Sequence, residues 1–134
     1  MQEVADTLLY FVRAVDSTIL PALSAVATEQ ANPLEKMRAT IKQLLDYCAT
    51  QDKAVLAYKA SKMIFAVHRD AGYCDKKKLQ SQAGGHIFLS NNDEFPPNNG
   101  AILTVATIIK AVMSSAAEAE LGALYLSIKE AACL

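Results

Sequence analysis

Ala54-Val55-Leu56-Ala57-Tyr58 and, after the polar Lys59 to Lys62, Met63-Ile64-Phe65-Ala66-Val67 decide how this chain divides. Both runs are short, apolar and bounded by polar residues, which is the pattern of strands, and the four residues between them suit a hairpin. The second run is apolar on both faces, so a central strand is expected there.

Upstream of Gln51-Asp52 the period is helical. Val4, Leu8, Phe11 and Val15 recur at four and three residues, as do Ile19, Leu23 and Val26, and then Leu34, Met37, Ile41, Leu44 and Cys48. Three helices follow. Asp16-Ser17-Thr18 supplies capping side chains, and Pro21 is tolerated because it falls in the first turn of the second helix. Asn32-Pro33 gives the third helix a cap and a proline at its first position, where the missing N–H costs nothing.

Downstream, a polar loop from Asp70 to Ala83 leads to Gly84-Gly85, which suits a tight turn, and to a strand at His86-Ile87-Phe88-Leu89. Asn91 to Gly100, with Pro96-Pro97 and Asn98-Asn99-Gly100, is turn chemistry, and Ile102 to Ile109 is rich in β-branched residues. Ser115-Ala116-Ala117-Glu118 fits a capping box, in which the Ser hydroxyl and the Glu carboxylate satisfy backbone N–H groups at a helix start. Leu121, Leu124, Ile128 and Ala131 or Ala132 then form the expected buried face, with Tyr125 at its margin. The expected class is α+β: three N-terminal helices over residues 1–50, then a four-stranded mixed sheet and a C-terminal helix over residues 51–134.

The 134 residues have the mass of one ordinary domain. With 52% hydrophobic and 20% charged residues, five Gly and four Pro, the chain is neither disordered nor of low complexity. Thirteen basic against 14 acidic residues, a net charge of −1, argue against a free-standing electrostatic binder of nucleic acid, so any such function needs a local site. No apolar run approaches the ~20 residues of a membrane span, and the N-terminus lacks the features of a secretory leader. A chain with no membrane partner and a cytoplasmic location is expected. Cys48, Cys74 and Cys133 are odd in number and widely spaced, without a CxxC pair, and read as reduced bystanders.

Few residues carry chemistry. Asp70 follows the apolar strand at the point where a carboxylate leaves a sheet, and a second carboxylate on a neighbouring element would let the pair hold the divalent cations of a two-metal hydrolase. Glu118 and Glu120 both flank the apolar face of the last helix, one at each margin. Capping accounts for Glu118, whereas no local partner accounts for Glu120, which is therefore the stronger candidate. Lys76-Lys77-Lys78 can meet a phosphate backbone in a salt-dependent contact, although three lysines in a loop are ordinarily a solvated turn. His68 and His86 read as surface groups beside strands, and Ser61, Ser114 and Ser115 lack His and Asp partners for nucleophilic catalysis.

Three segments resemble the ribonuclease H domain of copia-type long-terminal-repeat retrotransposon Pol polyproteins: Phe65-Ala66-Val67-His68-Arg69-Asp70-Ala71-Gly72-Tyr73, the run from Ser81 to Ser90, and above all Ser115-Ala116-Ala117-Glu118-Ala119-Glu120-Leu121-Gly122-Ala123-Leu124. Thr7-Leu8-Leu9-Tyr10-Phe11, the Asp16 to Pro21 turn and the third helix resemble the segment that closes the reverse transcriptase of those polyproteins. The resemblance implies an α/β ribonuclease H-like sheet, with Asp70 as first catalytic aspartate and Glu120 as catalytic glutamate. It further implies Mg²⁺ or Mn²⁺ bound by these carboxylates, and hydrolysis of the RNA strand of an RNA–DNA hybrid. The implied partners are that hybrid and the remainder of the Pol polyprotein, with a virus-like particle or the nucleus as further locations.

Departures accompany the likeness. The family's third aspartate lies on a strand after this helix and its fourth metal-binding position further on, so both are expected beyond Leu134 and the sheet is expected to be truncated. Leu121 stands where an aromatic residue often follows the glutamate, and Gln82 where Arg is frequent. Two readings follow: a ribonuclease H-like piece that is weakly active or inactive alone, or a non-catalytic packing module that self-associates through its truncated edge and an uncovered helix face.

Overall fold

A computed structural model describes residues 2–28, 35–51, 53–76 and 79–134. Helix α1 (Gln2–Ala14) is followed by a 3-10 turn (Ser17–Ile19) that runs into α2 (Leu20–Thr28), and then by α3 (Glu35–Thr50). Strands β1 (Ile64–Gly72), β2 (Gln82–Ser90) and β3 (Ala101–Ile108) precede helix α4 (Ala116–Ala131). The fold is mixed α+β, with four α-helices and one three-stranded antiparallel sheet in the order β1-β2-β3. The chain forms two compact units, Met1–Leu56 and Ala57–Leu134. No helix among the described residues is long and apolar enough to cross a membrane.

In the helical unit the buried side chains are Val12, Ile19, Leu20, Leu23, Val26, Met37 and Leu44, and α2 packs against both α1 and α3. Ile19, Leu23 and Val26 follow the expected period, while α1 buries Val12 and leaves Leu8 and Phe11 only half-buried, as is Val15 just after it. Asp16 caps the 3-10 turn, its Oδ1 accepting from the Thr18 backbone N–H at 3.0 Å and from the Thr18 hydroxyl at 2.6 Å. Pro21 lies in the first turn of α2, where its missing N–H breaks no helical bond. The expected cap at Asn32-Pro33 and the core position Leu34 lie outside the described residues.

The sheet departs from the expected four mixed strands in three ways. First, residues 54–58 form no ladder. The segment after them is held at points instead. The Asn99 carboxamide accepts from the Lys59 N–H at 2.7 Å and donates to the Lys59 carbonyl at 2.9 Å and the Leu89 carbonyl at 2.8 Å, and the Tyr58 hydroxyl donates to the Ala101 carbonyl at 3.0 Å. One side-chain amide thus does for Lys59 what a neighbouring strand does for a whole row, and pairing stops there. Second, β1 is an edge strand and not a central one, which leaves Ile64 and Phe65 exposed. Third, Gly84-Gly85 is not a turn: both lie inside β2, paired with Asp70 and Arg69.

The reason for the glycines is the helix behind them. A Cβ at Gly85 would lie 2.7 Å from Ser127 Oγ, so α4 approaches the sheet too closely for a side chain at that position. The same closeness overturns the expected buried face of α4. Ala119, Ala123 and Ser127 are fully buried, Ala123 clustered with Ala83 and Ile109 and packed beside Ala71, Met113 and Leu126. Of the expected core positions Leu121 and Ile128 are instead 65% and 54% exposed and Leu124 is half-buried, while Tyr125, expected at the margin, is 67% exposed. Small residues at i, i+4 and i+8 form the contact stripe because a large side chain there would hold the helix away.

Candidate functional site

Helix α4 is fixed at its start. Ser115 Oγ accepts from the Glu118 N–H at 3.2 Å, and the Glu118 carboxylate accepts from the Ser114 N–H at 2.7 Å, one residue earlier than a capping box requires. Hydrogen bonding by Ser114 holds the Glu118 carboxyl below the ordinary glutamate value. Two residues on, Glu120 turns toward β1. Its Oε2 accepts from Arg69 Nη1, the residue next to Asp70. Glu120 is therefore not partnerless, as its helix alone suggested. Its partner lies 51 positions away, on another element, where helical periodicity carries no information. The Arg69 and Glu120 side chains are 33% and 39% exposed, so the pair is screened and is worth about 0.2–1 kcal/mol.

Strand alternation separates the two candidate carboxylates. Gly85 faces α4, and Arg69, paired with it, lies on that same face, as do Ala71 and Ala83. Asp70 belongs to the other face, with its partner Gly84 and with His68 and His86, which are paired opposite each other. That second face is open at Asp70: a Cβ at Gly84 would meet only the Asp70 carbonyl oxygen, at 3.6 Å. Further along it, His68 packs edge-on against Phe88 at 4.9 Å and His86 lies 5.0 Å from the same ring. His86 Nε2 donates to the Asn99 carbonyl at 3.0 Å, which ties this imidazole to the loop before β3. Asp70 itself lies within β1, not beyond its end.

Whether these residues suit the ions of a two-metal site follows directly. Mg²⁺ and Mn²⁺ favour several hard oxygen ligands in near-octahedral geometry. Among the described residues no three His, Cys, Asp or Glu side chains gather to hold a metal ion. Of the two carboxylates, one already carries a guanidinium and the other lies on the opposite face of the sheet. The arrangement does not fit a two-ion centre, and no hydrolytic step follows from it.

The lysine run contributes little in this geometry. Lys76 Nζ lies 3.3 Å from the Asp75 carboxylate, an exposed pair that spends its charge locally, and Lys77 and Lys78 lie outside the described residues. Sequence reasoning missed Arg69 and Asn99. The only sequence signal for Arg69 is its place between His68 and Asp70 in an otherwise apolar strand.

No protein-family model matches the chain, and neither the curated proteins nor the solved structures offer a significant match to it.

Proposed function

We propose that residues 51–134 are the first part of a ribonuclease H-like domain of the copia-type Pol kind, and that residues 1–50 derive from the end of the preceding reverse transcriptase. The observation that carries the reading is the Arg69–Glu120 pair, which ties the α4 glutamate to the strand that also carries Asp70, although Asp70 lies on the opposite face of that strand. The order of three strands and a helix, with Asp70 in the first strand and Glu120 in the helix, supports it as well. The substrate class that the resemblance implies is an RNA–DNA hybrid, and any cutting of it by the chain alone is weak, because among the described residues the carboxylates are not gathered around a metal position.

The test is a cutting assay on hybrids labelled in either strand, with Mg²⁺ or Mn²⁺. Slow cutting of the RNA strand, lost in Asp70→Asn, is expected. No cutting, or cutting that Asp70→Asn leaves unchanged, removes the hydrolase reading. Coding sequence on either side gives an independent check: an in-frame Asp-Asn strand motif downstream and polymerase motifs upstream are expected.

A second reading, a non-catalytic packing module, is favoured by one observation. Leu121, Tyr125 and Ile128 form an apolar stripe on the outer side of α4, far more exposed than such residues are in a closed core.

A further inference from the structure

We infer that Arg69 is the resident cation of Glu120: its guanidinium holds the α4 carboxylate to β1 and keeps divalent ions off it. The inference deepens the ribonuclease H-like reading and rests on it for the meaning of a metal at this carboxylate, but the ion pair stands on geometry alone. Arg69 Nη1 donates directly to Glu120 Oε2. A guanidinium is a permanent cation in proteins, so the charge that Arg69 sets against Glu120 is fixed. Gly85, opposite Arg69, has no side chain to offer in its place, and the contact stripe of α4 supplies only Ala119, Ala123 and Ser127.

A divalent ion approaching Glu120 therefore meets a fixed positive charge within contact distance of its own ligand. The pair is also partly open to solvent, which makes the guanidinium a competitor and not a buried lock. No third ligand among the described residues offsets that repulsion. Removing the charge while keeping hydrogen-bonding capacity frees the carboxylate, and Arg69→Gln does this.

The experiment follows free Mn²⁺ by its paramagnetic resonance signal, with the full chain at low salt. Arg69→Gln is expected to bind Mn²⁺ at least about tenfold more tightly than the unaltered chain, the effect of deleting one charge at contact distance near a protein surface. Adding Glu120→Gln returns the affinity to that of the unaltered chain, and Arg69→Lys, which keeps the charge, stays close to it. A gain that survives Glu120→Gln, or no gain in a folded Arg69→Gln protein, overturns the inference. A second measurement does not depend on the folding of that variant. Glu120→Gln in the otherwise unaltered chain leaves Mn²⁺ affinity unchanged if Arg69 already occupies the carboxylate, and a loss of affinity there overturns the inference equally. Cutting assays on the same proteins separate the two proposals. Tight Mn²⁺ binding by Arg69→Gln without cutting of the RNA strand removes the hydrolase reading and leaves Arg69 in its role, while cutting by the unaltered chain with no gain on Arg69→Gln does the reverse.

Discussion

A methyl group added at residue 85 has nowhere to go. Its carbon would lie 2.7 Å from Ser127 Oγ and 3.3 Å from the Val105 Cβ, both part of packed elements. Gly85→Ala is expected to lower stability by about 1–3 kcal/mol in urea unfolding, as overpacking of a close contact does. Gly84→Ala is the control one residue away: its Cβ meets only the Asp70 carbonyl oxygen at 3.6 Å, so the cost is absent and a small gain from reduced unfolded-state entropy is expected. Ser127 Oγ is itself buried without a hydrogen-bond partner, so Ser127→Ala is expected to be neutral or stabilising by up to about 1 kcal/mol, and to relieve part of the Gly85→Ala cost in the double variant. None of this was legible in the sequence. Paired glycines before an apolar run signal a turn as readily as a strand, and what distinguishes them here is a serine 42 positions further along the chain, on a helix that must pass close by. Glu120 failed to disclose Arg69 for the same reason: a contact across elements leaves no mark in the period of either one.

At the scale of elements, the caps at Asp16 and Ser115 and the buried faces of α2 and α3 were legible, and the face of α4 was not. Asp16 and Ser115 sit where their side-chain oxygens imply, because capping depends on residues two or three apart and needs no tertiary information. Ser115→Ala is expected to cost about 1 kcal/mol and to increase exchange of the first amides of α4. Glu118 adds a dependence on pH. Its carboxyl is held low by Ser114, so its contribution is present above the unfolded-state value and lost as pH falls through the lower folded value. Fraying of the α4 start on acidification, abolished by Glu118→Gln, is the expected outcome in amide exchange across an acid titration. The buried face of α4 misled because amphipathic reading assigns large apolar residues to the core, whereas a helix seated on Gly85, Ala83 and Ala71 selects Ala and Ser. The segment at 54–58 misled in another way: its composition is that of a strand, but Asn99 alone holds Lys59. Asn99→Asp keeps the acceptor for the Lys59 N–H and loses both donated bonds, so faster amide exchange at Lys59 and Tyr58 is expected with the sheet intact.

For the whole molecule, composition implied one core, and the chain instead builds two compact units with an apolar surface left over on the second. That surplus bears on association. The β1 edge offers free backbone groups, yet its second half carries His68, Arg69 and Asp70, charged or polar residues of the kind that discourages edge-to-edge pairing. The outer stripe of α4 is guarded only at its margin. Leu121, Tyr125 and Ile128 follow one another at four and three residues, so they line a single side of the helix, with Glu118 and Lys129 bordering it and Glu130 turned away. If surface apolarity drives self-association, the helix stripe is expected to carry more of it than the strand edge, where only the first half, with Ile64 and Phe65 exposed, is apolar. Sedimentation velocity over a range of concentrations is expected to show a reversible larger species, suppressed by Leu121→Lys with Tyr125→Lys. Ile64→Lys on β1 is expected to leave it largely unchanged. A monomer at every concentration would leave the packing-module reading without support, and suppression by Ile64→Lys alone would assign the contact to the sheet edge. Neither result touches Arg69 and Glu120, because Glu120 stands about 100° from Leu121 around the helix, so association and metal binding can be measured on the same protein without confusing one with the other.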